Sequence, residues 1–139
     1  MQQDVAIQLH SDMPLSVLRA LRLELVPRII AKVSVEGQSA IERARELDQQ
    51  VDAILLDSVN KSTRQVGGTG LAHDWEISAQ IVKHVSTPVI LAGGLTPENV
   101  RGAIGQVQPW AVDVNSGVRN SDGSKDPHRI WAFIREAKS

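Results

Sequence analysis

Two segments of small residues in the second half of the sequence have the composition of a phosphate-binding site. Gly93 and Gly94 directly follow the apolar run PVILA, and Asn115, Ser116 and Gly117 directly follow the run AVDV. Glycine lets the backbone approach a ligand closely and exposes its N–H groups, and an anion also gains from a nearby helix N-terminus. Either segment alone is better explained as a tight turn. Two of them at the ends of consecutive apolar runs favour a phosphate site.

Two carboxylates and a histidine occupy comparable positions and are candidates for acid–base chemistry. Asp57 closes the run AILL, where it is placed either to exchange protons with a ligand or to cap a loop. Asp113 lies inside the last apolar run, and a carboxylate buried there must be paired or hydrogen-bonded. It either orients a polar substrate group or bonds the neighbouring loop. His10 ends the first run, where a lone histidine is more often structural than catalytic.

Strands and helices that alternate along the chain must position these residues. Runs rich in Val, Ile and Leu predict five strands, at 5–9, 28–35, 53–56, 88–92 and 111–114. Most of the runs lack strict alternation, which is typical of strands buried on both faces. Amphipathic segments between and after the strands predict five helices. The order (βα)5 predicts one α/β domain over residues 1–139 with a parallel sheet.

Residue types at several points predict where helices begin. Thr96, Pro97 and Glu98 form the sequence of an N-cap, a first-turn proline and an acid near the positive helix end. Asp126, followed by a proline, gives a similar signal for the last helix, and Asp74 is a candidate N-cap for the third. The longest irregular stretch, 58–73, includes three glycines, and loops of that length are usually functional or mobile.

Five βα units are compatible with two architectures. They can form an open doubly wound sheet of the flavodoxin type, or part of a (β/α)8 barrel, which needs eight strands and about 250 residues when closed. In both, ligands bind at the carboxyl ends of the strands, where the candidate residues lie.

The composition indicates a cytoplasmic protein without disulfides. The formal net charge is −1, which gives no electrostatic reason to expect a nucleic-acid or anionic-membrane partner. There is no cysteine, and no apolar run approaches the ~18 residues of a membrane span. No HxxxH or HExxH pair indicates a metal.

Several of these segments resemble the phosphoribosylanthranilate isomerase family. PVILAGGLTPENV at 88–100 and PWAVDVNSGV at 109–118 are similar to the family's seventh and eighth strands. Weaker similarity to its fourth and sixth strands is found in IQLH at 7–10, ILLD at 54–57, GGTG at 67–70 and DW at 74–75. The resemblance covers nearly the whole chain and implies strands four to eight of a TIM barrel.

The resemblance implies an isomerase of tryptophan biosynthesis that needs no cofactor or metal. Its reaction is the Amadori rearrangement of N-(5-phosphoribosyl)anthranilate, a phosphorylated sugar substrate. Asp57 matches the family's general acid, Asp113 a residue near the anthranilate moiety, and His10 a histidine near the site. Gly94 and the segment 115–117 match its phosphate-binding loops.

The family's general base is a cysteine at the end of strand one, which has no counterpart in this sequence. We therefore expect the chain to be inactive alone, because losing an acid–base group costs about 10²–10⁴-fold in rate. Two alternatives stay open: a non-catalytic sugar-phosphate-binding (βα)5 protein, and a paralogue with His10 as the base. Open sheet edges predict a homo-oligomer or association with a complementary barrel fragment.

Overall fold

The computed structural model describes residues 5–24, 28–57 and 70–139. In these ranges five strands alternate with five helices, as the sequence predicts. The strands are β1 (Ala6–Leu9), β2 (Arg28–Ser34), β3 (Ala53–Asp57), β4 (Val89–Ala92) and β5 (Ala111–Val112). The helices are α1 (Leu15–Glu24), α2 (Ser39–Leu47), α3 (Gly70–His84), α4 (Val100–Val107) and α5 (Pro127–Ala137). A short 3₁₀ turn, Ser116–Val118, follows β5.

The strands form one parallel sheet whose spatial order, β1-β2-β3-β4-β5, is the order along the chain. A flavodoxin-type sheet places its first strand between the second and third, so the observed order is that of a barrel. Asp57 at the end of β3 is level with Ser34 on β2 and Ala92 on β4. The carboxyl ends of the three strands therefore lie side by side. The predicted α/β fold is confirmed as an open, barrel-like five-stranded sheet.

Each strand has one face against the helices and one face toward the opposite side of the sheet. In β2, Ile29, Ala31 and Val33 are buried, whereas Ile30, Lys32 and Ser34 are partly exposed, because successive residues point to opposite faces. The helices contribute the predicted stripes to the same core, which includes Leu18, Ile41, Ala44, Leu47, Ile77, Ile81, Val100, Val107 and Phe133.

Two predicted helix starts are wrong. Helix α4 begins at Val100, not at Thr96, because the side chain of Asn99 closes a separate turn in front of it. The Thr96 N–H donates to Asn99 Oδ1 at 2.8 Å, and the Asn99 N–H donates to the Thr96 carbonyl at 3.2 Å. Helix α3 begins at Gly70, so Asp74 lies within it and does not cap it. The rest of the predicted irregular stretch, 58–69, lies outside the described residues.

The start of α5 is confirmed. Asp126 is its N-cap, and its side chain accepts hydrogen bonds from the N–H groups of His128, at 2.8 Å, and Arg129, at 3.3 Å. Pro127 occupies the first helical position, where the missing N–H costs nothing.

The expectations near β5 need correction. β5 ends at Val112, so Asp113 lies beyond the strand and is exposed, not buried inside it. Trp110 is 71% exposed, and Ile134 on α5 is 43% exposed. These residues lie beside the last strand of an open sheet, where no described element covers them. Trp75, in contrast, packs against the core.

Candidate functional site

A cavity of about 410 Å³ lies at the carboxyl ends of the strands. It brings together nearly all of the residues singled out in the sequence. The predicted residues that line it are His10, Asp57, Gly93, Gly94, Asp113, Asn115 and Ser116. Gly117 is not part of this lining. All five βα units contribute residues to the cavity, since Lys32 on β2 also lines it.

The turn after β4 has a backbone that favours glycine. Gly93 and Gly94 have φ angles of 80° and 66°, which fall in the left-handed region that other residues rarely adopt. Asn99 fixes this turn, because its Nδ2 donates to the Gly94 carbonyl at 3.0 Å. The role of Asn99 was not predicted, because residues 96–98 have the sequence of a helix start.

The turn after β5 is in direct contact with the turn after β4. A Cβ atom on Gly117 would lie 1.9 Å from the carbonyl oxygen of Leu95, far inside the distance that real Cβ atoms keep. Arg129 contacts both segments from the first turn of α5. Its Nε donates to the Gly117 carbonyl at 3.0 Å, and its Nη2 lies 3.0 Å from Glu98 Oε2. The two strand tips are therefore adjacent.

The backbone N–H groups of Gly94, Ser116 and Gly117 have no hydrogen-bond acceptor among the residues that the structure describes. Donors of this kind at adjoining turns can surround an anion, and a phosphate offers three acceptor oxygens. Asn115 braces the second turn. Its Oδ1 accepts from Lys125 Nζ at 2.7 Å and from Arg119 Nη2 at 2.9 Å, so this oxygen is engaged within the protein.

A second feature of the cavity is an ion pair. Lys32 Nζ lies 3.1 Å from Asp57 Oδ2, and the two side chains are 23% and 35% exposed. Both residues line the cavity. Lys32 was not among the predicted site residues because its partner lies on another strand, although it is a charged residue in the interior of a largely apolar run.

His10 and Asp113 complete the lining from the two outermost strands. Both are exposed, and neither side chain has a hydrogen bond or ion pair with the described part of the chain. Asp113 therefore does not bond the neighbouring loop, which was one of the two roles considered for it. Its backbone N–H donates to the Leu91 carbonyl at 2.9 Å, which holds the start of the loop against β4.

A hydrogen bond from the Thr96 side chain lowers the pKa of the exposed Glu98 carboxyl, and the contact with Arg129 acts in the same direction. Glu98 therefore stays ionised beside Arg129 at neutral pH. The described residues contain no group of three or more His, Cys, Asp or Glu side chains placed to hold a metal. Each described helix is too short or too polar to cross a membrane.

The sequence that forms these two glycine turns and the acidic end of β3 matches a known protein family. Residues 1–136 match the family model described as N-(5'-phosphoribosyl)anthranilate (PRA) isomerase. The chain belongs to the phosphoribosylanthranilate isomerase family. An N-(5'-phosphoribosyl)anthranilate isomerase 2 from Methanosarcina mazei is 44% identical over 135 residues, which cover 96% of this chain and 60% of the relative. The enzyme of that family from Haloferax volcanii is 45% identical over 133 residues, which cover 96% of this chain and 58% of the relative.

Solved structures of the same family have this fold. The phosphoribosyl anthranilate isomerase of Thermococcus kodakaraensis matches with a TM-score of 0.78 and 40% identity, over 96% of this chain and 63% of that one. A second isomerase structure, in complex with reduced 1-(o-carboxyphenylamino)-1-deoxyribulose 5-phosphate, matches with a TM-score of 0.74 and 34% identity, over 96% of this chain and 59% of that one. This chain thus spans about 60% of the length of the phosphoribosylanthranilate isomerases that it matches.

Proposed function

We propose that this chain carries the phosphate-binding loops and the general acid of a cytoplasmic phosphoribosylanthranilate isomerase. The observation that carries the proposal is the single cavity in which Asp57 and two contacting glycine turns line the same space. The relative whose structure holds a reduced deoxyribulose 5-phosphate derivative supports a ligand of that class.

In this proposal the free N–H groups of Gly94, Ser116 and Gly117 hold the phosphate of the sugar, with Gly93 and Asn115 shaping the two turns. Oriented backbone donors bind an anion without having to reorganise. Asp57 then lies at the sugar end of the cavity. His10 and Asp113, from the outer strands, contact the remainder of the substrate.

The chemical step that we assign to Asp57 is ring opening. The carboxyl group donates its proton to the ring oxygen of the ribose, the bond between that oxygen and C1 breaks, and the nitrogen lone pair forms an iminium at C1. A base then removes the proton from C2, which gives an enamine that becomes the ketone. The family's cysteine base has no counterpart here, since the sequence contains no cysteine.

We further propose that residues 1–139 form one partial TIM-barrel domain whose edges, β1 and β5, pair with complementary βα units. Eight strands close such a barrel, and the described residues form five. Exposed parallel edges expose unpaired backbone groups and tend to bind other strands. The exposed apolar residues Ile7, Trp131 and Ile134 lie on or beside these edges.

Binding is tested by calorimetric titration with reduced 1-(o-carboxyphenylamino)-1-deoxyribulose 5-phosphate. We expect a saturable heat for the chain and its loss in Gly117→Ala. Gly105→Ala, on α4 and with open space around it, is the matched control and keeps the binding. Absence of binding at millimolar ligand refutes the proposed function.

Catalysis is tested by the loss of phosphoribosylanthranilate fluorescence. We expect no turnover by the chain alone, and turnover when a fragment with the three N-terminal βα units of a family member is added. Asp57→Asn should abolish turnover in the mixture. If the chain alone does show turnover, His10→Ala tests whether His10 is the base. Loss of turnover in this variant supports that role, and full turnover excludes it.

A second candidate function is sugar-phosphate binding without catalysis. The observation that favours it is that the anion-binding loops are complete within the described residues, whereas the sequence offers no cysteine base. It predicts that the analogue binds and that no turnover occurs even after the complementary fragment is added.

A further inference from the structure

Lys32 is a charged cavity-lining residue for which the proposed function gives no role. Among the described residues that line the cavity it is the only lysine, and its Nζ lies 3.1 Å from Asp57 Oδ2. Neither partner is a freely solvated surface residue, because the side chains are 23% and 35% exposed. The ion pair thus lies inside the cavity and includes the proposed acid, Asp57, so Lys32 can act on that residue.

The backbone fixes this pair. Lys32 is level with Leu55 on the neighbouring strand β3, and Asp57 lies two residues further along that strand, so both side chains project from the same face. Strands β2 and β3 are both interior strands of the sheet, with hydrogen-bonded neighbours on each side. A functional group mounted on such elements is held more exactly than one on a loop.

We propose that Lys32 is a positioning residue for Asp57. Its ammonium group holds Oδ2 and thereby selects one orientation of the carboxyl group, which leaves Oδ1 for the sugar. The catalytic use of that orientation rests on the proposed function, whereas the selection of the orientation does not.

The charges of the cavity support this role. Asp57 and Asp113 both line it, and a phosphate ester adds further negative charge. The ammonium group contacts Asp57 Oδ2 at 3.1 Å, so among these groups it acts on that carboxylate and not on the glycine turns. Removing one partner of a partly buried pair leaves the other charge without compensation, which costs more than losing an exposed surface pair.

The direct test is the side-chain conformation of Asp57 in the free protein, from the three-bond Hα–Hβ couplings measured by NMR. We expect couplings of a single rotamer in the wild-type chain and in Lys32→Arg, which keeps the charge. In Lys32→Met, which keeps the length of the side chain but not the charge, we expect averaged couplings. Lys83→Met, at the exposed end of α3, is the control and should leave the couplings unchanged.

A second measurement separates positioning from general damage. In Lys32→Met the affinity for reduced 1-(o-carboxyphenylamino)-1-deoxyribulose 5-phosphate should fall about 10-fold or more, as expected for a lost hydrogen bond to a charged group. The affinity for inorganic phosphate should change less than about twofold, because the glycine turns and not Asp57 supply its contacts. Lys32→Arg should restore the affinity for the analogue.

Single-rotamer couplings of Asp57 in Lys32→Met overturn the proposal. If that variant does not fold, Lys32→Gln provides the same comparison with a polar, uncharged side chain. A wild-type chain with an ordered Asp57 that binds no analogue contradicts the proposed function and leaves the positioning role intact. Equal losses for the analogue and for phosphate show that Lys32 only supports the fold of the cavity.

Discussion

At the scale of single residues, the contact between the two glycine turns depends on a position where a side chain is absent. Gly117 lies so close to the Leu95 carbonyl that any Cβ atom would displace backbone, and that backbone belongs to the two turns. Asp57, in contrast, is held by a contact between side chains, its ion pair with Lys32. The turns and the ion pair therefore respond differently to substitution.

We expect Gly117→Ala to separate the two turns and to destabilise the chain by about 1–3 kcal/mol, the usual cost of overpacking. Binding of a phosphorylated ligand should be lost with it. Urea unfolding and calorimetric titration measure the two effects.

The control, Gly105→Ala, should stabilise the chain by about 0.5–1 kcal/mol, because alanine loses less entropy than glycine in a helix. Gly105 lies in α4 with no atom within 4 Å of the added Cβ. Equal stability losses in both variants would show that the contact with Leu95 has no special role.

The sequence predicted the residues whose type alone carries a signal and missed those whose partners are distant along the chain. The turn at Gly93 and Gly94 was predictable because glycines directly after an apolar run favour a backbone of positive φ. Lys32 was missed because its partner Asp57 is on another strand. Asp113 was wrongly expected to be buried because the end of a strand depends on its neighbours in the sheet.

At the scale of elements, hydrogen bonds at the other end of the sheet join the end of α2 to the start of β4. Asp48 Oδ1 accepts from the N–H groups of Ser86 and Thr87, both at 2.9 Å, and from Thr87 Oγ1 at 2.8 Å. Burial alone would raise the pKa of Asp48, but these hydrogen bonds together hold it below its usual value of 3.8. The carboxylate therefore stabilises the folded state.

We expect Asp48→Ala to lower the free energy of unfolding by about 2 kcal/mol at pH 7, since hydrogen bonds to a charged group are lost. Because the folded-state pKa of Asp48 is depressed, its contribution is present above the unfolded value of 3.8 and is lost as the pH falls through the folded value. The difference between wild type and variant should shrink in urea unfolding measured below that pH.

Asp122→Ala is the control for this prediction. The hydrogen bonds that Asp122 accepts come from Ser124, two residues away in one exposed loop, and they lower its pKa as well. We expect a smaller loss of stability than in Asp48→Ala, because no separate elements are joined. A pH-independent difference for Asp48→Ala would contradict the proposed origin of its effect.

The N-cap of α5 gives a further prediction. Asp126→Ala should destabilise the chain by about 0.5–2 kcal/mol, whereas Asp126→Ser should recover most of this loss. Arg129 lies in the same first turn, so fraying also weakens its hydrogen bond to Gly117 and lowers phosphate affinity. Chemical denaturation and phosphate titration of both variants test this; equal stability of the Ala and Ser variants would exclude a capping role.

Element types were predictable and element ends less so. The start of α5 was found because Asp126 and Pro127 act on their own helix. The start of α4 was misplaced because Asn99 bonds backward to Gly94 and Thr96, and this tertiary use of a side chain overrides the local signal. The length of β5 depends on hydrogen bonds with neighbouring strands, and in the described sheet β5 has one neighbour, β4.

At the scale of the whole molecule, the described sheet ends in β1 and β5, each of which pairs with one described strand only. We expect the chain to self-associate at micromolar concentration, because exposed parallel edges and apolar residues beside them seek partners. Sedimentation velocity should show species larger than the 15.1 kDa chain. A monomeric mass would refute this.

A substitution on the exposed face of α5 tests this expected self-association. Trp131→Glu should shift the distribution toward monomer, since Trp131 is 75% exposed on α5, the helix that follows β5 in the chain. Gln106→Glu, exposed on α4, adds the same charge away from the edge and should leave the distribution unchanged. An equal shift in both variants would indicate that charge, not the edge, controls association.

The order of the strands along the chain has a consequence for the synthesis of the protein. The two turns, and the residues that brace them, Asn99, Lys125 and Arg129, all fall within 89–137. A contiguous stretch of the chain thus encodes the proposed phosphate site. It leaves the ribosome after β1 to β3 have been synthesised, so during translation the scaffold precedes the capacity to select a ligand.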